Sequence, residues 1–392
     1  MRGRISIGAV FRIALYYGLA GFGGGYSVLV QLRRDLVERR NWLTSEEFLV
    51  LAELSKSLPG TPATSLLALL GQKVGRTRGG VVAACAFLLP SMALMIACGA
   101  TYSLFRKAPA LAVFFDGMNA AMVGVVGAVT VDLARSALRS RGDVLAAILC
   151  AILLATRLVS EPLLAAGAVA IGSIHGAAQQ RPLASPRRSG DSERPPSSER
   201  LHGVIPPLAA FPLALTGGLA ALARVFLPIG VLTFGGGLAM IPAIEHMVVV
   251  EQGWLDPKAF ADAIALGQIT PGPVAICATF IGYRVAGFLG AIVATLAMFV
   301  PATALALAAG HSVERFRTSP VVEGALRALA PAVIGMLAAA TFSLGKAGVG
   351  VHMDVALAAA AFVLLLVRPI SPLWLLVGGG AVRLAILSCA HF

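Results

Sequence analysis

Two short stretches of the chain, KSLPGTPATS at 56–65 and QITPGPVAIC at 268–277, set proline, glycine and hydroxyl side chains in otherwise apolar surroundings. A proline costs a helix interior about 3 kcal/mol and a glycine about 1 kcal/mol, so each stretch reads as two half-helices meeting at a broken tip. The half-helix leaving a tip starts with unpaired backbone N–H groups and the positive end of a helix dipole. Ala63, Thr64 and Ser65 offer such donors after Pro59, Gly60 and Thr61; Ala275 and Ile276 offer them after Thr270, Pro271, Gly272 and Pro273. Two helix N-termini aimed at one cavity suit an anion. The hydroxyls of Thr61, Thr64, Ser65 and Thr270 favour one that accepts several hydrogen bonds. A proline kink without ligand is the plain alternative for a single break, whereas a matched pair points to a binding site near the membrane midplane.

Charges inside apolar segments are costly and mark function by default. Arg12 and Arg224 each lie ten residues before an FGGG run, Phe22-Gly23-Gly24-Gly25 and Phe234-Gly235-Gly236-Gly237. An arginine can grip an oxyanion through two parallel N–H donors; snorkelling toward lipid phosphates is the competing explanation. Lys56, three residues before Pro59, adds positive charge at the first tip, and its counterpart in the second is Gln268. Glu53, one turn before Lys56, and Asp262, on the equivalent half-helix, are candidate proton carriers; an intrahelical ion pair would account equally for Glu53 with Lys56. Asp116 and Arg327 occupy matching positions and are expected to pair across a pseudo-twofold axis. The glycine runs are expected to break the first helix of each half beside its tip, although Gly21 and Gly25 by themselves form a GxxxG that serves helix packing.

The elements that carry these residues are membrane helices. Hydrophobic residues make up 58% of the chain and charged residues 13%, with a mean hydropathy of +0.85. Apolar runs long enough to span a bilayer cover nearly all of it, which leaves no room for a soluble catalytic domain. The net charge of +12 is spread over short loops, the pattern of positive-inside bias rather than of a nucleic-acid face. Cys85, Cys98, Cys150, Cys277 and Cys389 have no metal-site spacing, and the six histidines are dispersed. No catalytic motif occurs, so the chain reads as a non-enzyme with no catalytic residue, cofactor or metal. Its partners are a small anion and membrane lipids, with a homodimer as one possible assembly.

Sliding the chain against itself by 212 positions superposes Arg12 on Arg224, FGGG on FGGG, Trp42 on Trp254 and Pro59-Gly60 on Pro271-Gly272; by 211 it superposes Gly71 on Gly282, Pro90 on Pro301, Gly124 on Gly335 and Arg157 on Arg368. The fold class is therefore an all-α polytopic membrane protein of two homologous halves, residues 1–175 and 207–392. A Pro/Ser/Arg-rich linker, read as disordered and cytoplasmic, joins them over 176–206. The loop QLRRDLVERRNW is basic, whereas its counterpart IEHMVVVEQGW has no Lys or Arg, so equivalent loops face opposite sides and the repeats are inverted. Each half is assigned about five crossings, the first being the FGGG helix, plus one re-entrant Pro-Gly segment. Parallel repeats, in which the broken segments span, are the rival arrangement.

The FGGG run, the basic loop, the WLT-EEF and WLDPKAF runs, the Pro-Gly motif and GYRV together resemble the chromate ion transporter family in its long, two-domain form, over about 8–175 and 220–386. The FGGG form looks more like the family's short members fused in tandem. The resemblance implies a multi-pass inner-membrane carrier that exports chromate, is driven by the proton motive force and confers chromate resistance. A sulfate carrier or an anion channel are the alternatives.

Overall fold

Capping and breaking residues set the helix boundaries. The computed structural model describes residues 5–21, 24–58, 60–156, 158–159, 161–178, 217–232, 237, 240–310, 320–348, 350, 352–368 and 370–389, and all regular structure among them is helical. The first half holds α1 (Ile7–Ala20), α2 (Gly24–Arg33), α3 (Ser45–Ser57), α4 (Pro62–Lys107), α5 (Pro109–Ala137), α6 (Arg141–Ala155) and α7 (Glu161–Ala178). The second holds α8 (Gly218–Leu232), α9 (Ile241–Glu245), α10 (Pro257–Ile269), α11 (Cys277–Gly310), α12 (Pro320–Gly348), α13 (His352–Val367) and α14 (Pro372–Cys389). Thr44 and Glu47 form a reciprocal capping box that starts α3, and the Thr44 backbone N–H holds the Glu47 carboxyl below its ordinary range. Asp256 starts α10 by accepting from the Lys258 and Ala259 N–H groups. The expected linker lies outside the described residues, apart from the end of α7; so do Arg157, Gly23, Pro59, Gly235 and Gly236.

The duplication extends to single torsions. Single π-helical turns follow the glycine runs at Arg34–Arg39 and His246–Glu251. Asn41 and Gly253, at matching positions beyond them, have φ of 52° and 60°. Helix α4 reverses at Gly75 (φ −131°, ψ 24°) and Arg76 (φ 54°, ψ −151°), and α11 reverses at Ala286 (φ −143°, ψ 29°) and Gly287 (φ 63°, ψ −150°). Each therefore consists of a short arm, 62–74 or 277–285, and a long arm, 77–107 or 288–310.

Contacts between these pieces establish sidedness. Lys73, at the end of the short arm of α4, pairs with Glu47 at the start of α3 at 3.7 Å, and Ile7 packs on Gly75. The starts of α1 and α3 and the reversal in α4 thus share one side. Helix α3 and the short arm each rise about 20 Å, too little to cross a hydrocarbon core of about 30 Å, so this broken segment is re-entrant. The FGGG helix also turns back: α1 ends at Gly21, and the Tyr17 hydroxyl reaches the Gln31 carbonyl at 3.2 Å in the returning α2. The long arm of α4 and helix α5 are long and apolar enough to cross, and Asp143 of α6 and His175 of α7 line one cavity.

Helices α4 and α11 run antiparallel. Gln72 donates to the Leu307 carbonyl at 2.7 Å near one side, and Arg284 donates to the Ser103 hydroxyl at 3.1 Å near the other. The second half therefore enters from the side opposite the first. The inversion rests on this antiparallel contact. The halves also exchange helices: α5 packs on α13 and α14, with Gly124 against Ala358 and Gly117 against Gly379, while α12 packs on α6 and α7, with Gly335 against Ala147 and Gly172 against Gly324. Lipid tails are as apolar as leucine, so such small-residue contacts, which let backbones approach, supply much of the helix association.

Candidate functional site

The two tips meet the opposite half at the centre of the molecule. Gly60 has φ 102° and Gly272 φ 111°, left-handed conformations that suit glycine. A Cβ on Gly60 would collide with Ala302 on the long arm of α11, and one on Gly272 would fall on the Ser91 hydroxyl of the long arm of α4. Each tip is thus seated on the proline-bearing helix of the other repeat, directly after Pro301 or Pro90. Gly21, just before the first glycine run, and Gly237, the last of the second, both meet the second tip. The Gly272 N–H donates to the Gly21 carbonyl at 3.0 Å, and a Cβ on Gly237 would sit 3.0 Å from Val274 and 3.4 Å from the Ala275 nitrogen. Gly24 and Gly25 open α2.

The polar groups at the tips are buried. The Thr61 and Thr64 hydroxyls are 2.7 Å apart. Thr270 donates to the Leu266 carbonyl at 2.7 Å and also approaches the Met95 sulfur at 3.4 Å. The Ser65 N–H closes onto the Thr61 carbonyl and the Ile276 N–H onto the Pro273 carbonyl, so two of the expected free donors are used inside their own turns. Ala63, Thr64 and Ala275 remain as backbone candidates. Gln268, one turn before the second tip, is 5% exposed, and its Nε2 has no partner among the described residues.

Asp262 lies in a second cluster, toward the side from which the second half enters. Its Oδ2 accepts from the Tyr102 hydroxyl at 2.5 Å, Arg106 Nε at 2.8 Å and Arg106 Nη2 at 2.5 Å, and its Oδ1 accepts from Asn119 Nδ2 at 2.7 Å. Arg106 also lies 3.6 Å from Asp116, which pairs with Lys258 at 2.7 Å and approaches Arg383 at 3.8 Å; Arg383 in turn pairs with Asp354. The expected Asp116–Arg327 bridge is therefore replaced by one to Arg106, Lys258 and Arg383. Inversion sends matching positions to opposite ends unless they lie near the axis, and Arg327 lines a cavity of about 580 Å³ between α6, α7 and α12. That cavity adjoins Asp143 and Gly172, the counterparts of Asp354 and Arg383.

Arg12 and Arg224 lie on exposed faces of α1 and α8, and Arg224 Nε reaches the Ala220 carbonyl of its own helix at 3.4 Å. The structure does not bring these arginines to the tips. Lys56 and Glu53 are exposed on α3. Sequence reasoning missed Ser91, Tyr102, Arg106 and Asn119 as partners of the second half. Asn119, an amide inside an apolar helix, carried the one local signal. No group of three or more metal-ligating side chains occurs among the described residues.

Inverted helical halves, exchanged across their interface and each broken at a central tip, define a polytopic membrane transport protein. A family model described as "Chromate transporter" matches residues 8–173 and 220–384, and the chain belongs to the chromate transporter family. It is 31% identical over 340 residues to a probable chromate transport protein of Synechococcus elongatus, covering 85% of this chain and 83% of that one. It is 29% identical over 369 residues to the chromate transport protein of Cupriavidus metallidurans, covering 91% and 88%. A shorter match, 33% over 119 residues, links 30% of this chain to 67% of the uncharacterized transporter YwrA of Bacillus subtilis. No solved structure matches the chain.

Proposed function

We propose that the chain is a secondary carrier that moves chromate out of the cell across the cytoplasmic membrane, driven by the proton motive force, and so confers chromate resistance. One observation carries this reading: two equivalent broken tips, from inverted halves, each open a helix N-terminus beside buried hydroxyls against the opposite half. Membership of the chromate transporter family supports chromate as the cargo, and a tetrahedral oxyanion can use several such donors at once. We assign the contacts to the backbone at Ala63, Thr64 and Ala275, the Thr61, Thr64 and Thr270 hydroxyls, and Gln268 Nε2, with the glycine runs giving the anion room to approach backbone. Lys56 adds positive potential beside the first tip. The side bearing Lys73, Arg76 and Arg78 is the cytoplasmic one by the positive-inside rule.

Asp262 is the coupling carboxylate in this reading. A proton reaches it only when the donors from α4 and α5 let go, which links protonation to relative movement of the halves. Glu53, exposed on α3, is the second candidate. Purified protein in liposomes tests the function. Chromate should accumulate against its gradient only when a pH gradient is imposed, and sulfate should compete weakly. Purely downhill flux without a pH requirement would identify a channel, and sulfate flux exceeding chromate flux would identify a sulfate carrier.

A further inference from the structure

The long arms that seat the two tips differ in one side chain. Ser91, fully buried directly after Pro90, donates its hydroxyl to the Pro271 carbonyl at 2.6 Å. The Gly272 N–H bonds to the Gly21 carbonyl at 3.0 Å, and the Thr270 hydroxyl touches the Met95 sulfur at 3.4 Å. All three partners belong to the first half. At the matching place on α11, directly after Pro301, stands Ala302, which presents only a methyl group to Gly60.

We propose that Ser91 is a positioning residue that anchors the second tip to the long arm of α4, making this tip the fixed jaw of the anion site and the first tip the jaw that moves. A buried carbonyl needs a donor, and a directional O–H bond resists sliding in a way that methyl packing does not. The Ser91 oxygen also occupies the space that a Gly272 side chain would need, so tip and helix fit in one register. Ala302 allows the first tip to shift along α11 without breaking such a bond. The proposal rests on reading the tips as the anion site.

The test uses the full chain in liposomes, with Cys277 as the sole cysteine. Cys277 is 1% exposed and follows the second tip by one helical turn. Ser91→Ala should speed its modification by a small methanethiosulfonate about tenfold, because local opening sets the rate for a buried thiol. The same variant should raise the KM for chromate several-fold with little change in maximal rate. Ala302→Ser, which deletes nothing, should lower the maximal rate and leave Cys277 modification unchanged. Unchanged Cys277 modification in a monodisperse, folded Ser91→Ala protein overturns the anchor, as does an Ala302→Ser protein with undiminished maximal rate. The labelling arm does not require chromate to be the cargo: faster labelling with no chromate flux in any variant would leave the anchor standing and sink the transport reading.

Discussion

At the residue scale, the burial of Asp262 with four donors governs the outcome of substitution. Removing one partner of a buried ion pair strands the other charge, typically at a cost of about 3 to 5 kcal/mol. Asp262→Asn is expected to lower stability by about 3 kcal/mol in detergent unfolding and to uncouple chromate flux from the pH gradient. The double variant Asp262→Asn with Arg106→Gln should recover part of that loss, since the stranded guanidinium is gone. A single variant as stable as the parent, with coupling intact, would remove Asp262 from the coupling role. Asp262 stood out in the sequence because a carboxylate in an apolar half-helix is conspicuous. Tyr102 and Arg106 did not, because they precede it by 160 and 156 positions and no local pattern links them.

At the scale of elements, the reversals in α4 and α11 share a backbone shape but differ in residue. Arg76 adopts φ 54°, ψ −151°, where its counterpart is Gly287. Such a conformation costs a side-chain-bearing residue about 1 to 3 kcal/mol. Arg76→Gly should therefore stabilise the protein by about 1 kcal/mol and Gly287→Ala destabilise it by a similar amount, both readable as opposite shifts in thermal unfolding. Shifts of the same sign would show that charge or packing, not torsion, dominates. At the tip, Gly272→Ala faces both φ 111° and the Ser91 hydroxyl, and it should abolish chromate flux while the protein still reaches the membrane. The broken helices were legible because proline and glycine act locally. The seat of each tip was not, because it is formed by the other repeat.

At the scale of the molecule, inversion predicts that equivalent loops face opposite compartments. Glu38 and Val250 are matching, exposed positions just inside the two π-helical turns, whereas the nearby Leu36 and Val248 are buried in the core. Single cysteines at 38 and 250, in a cysteine-free background, should react with an impermeant reagent from opposite sides of the membrane, position 38 from the cytoplasm. Labelling from one side would rule out the inverted arrangement. Loop charge was enough to anticipate this, because Lys and Arg bias orientation wherever short loops carry them. Counting crossings was not, because a break at a glycine run does not reveal whether the chain continues or returns; the Tyr17–Gln31 and Lys73–Glu47 contacts decide that.

Composition, the doubled FGGG and Pro-Gly motifs and the loop charges, all local or periodic properties, by themselves determined a helical membrane protein of two related, opposed halves with paired broken helices. Tertiary structure alone decided which half supports which tip, that Ser91 and Ala302 lie against the two tips, and that Asp262 is buried against Arg106 rather than free in a cavity. Those outcomes depend on antiparallel contact between α4 and α11, segments some two hundred residues apart, and a contact across that separation leaves no periodic trace in either segment.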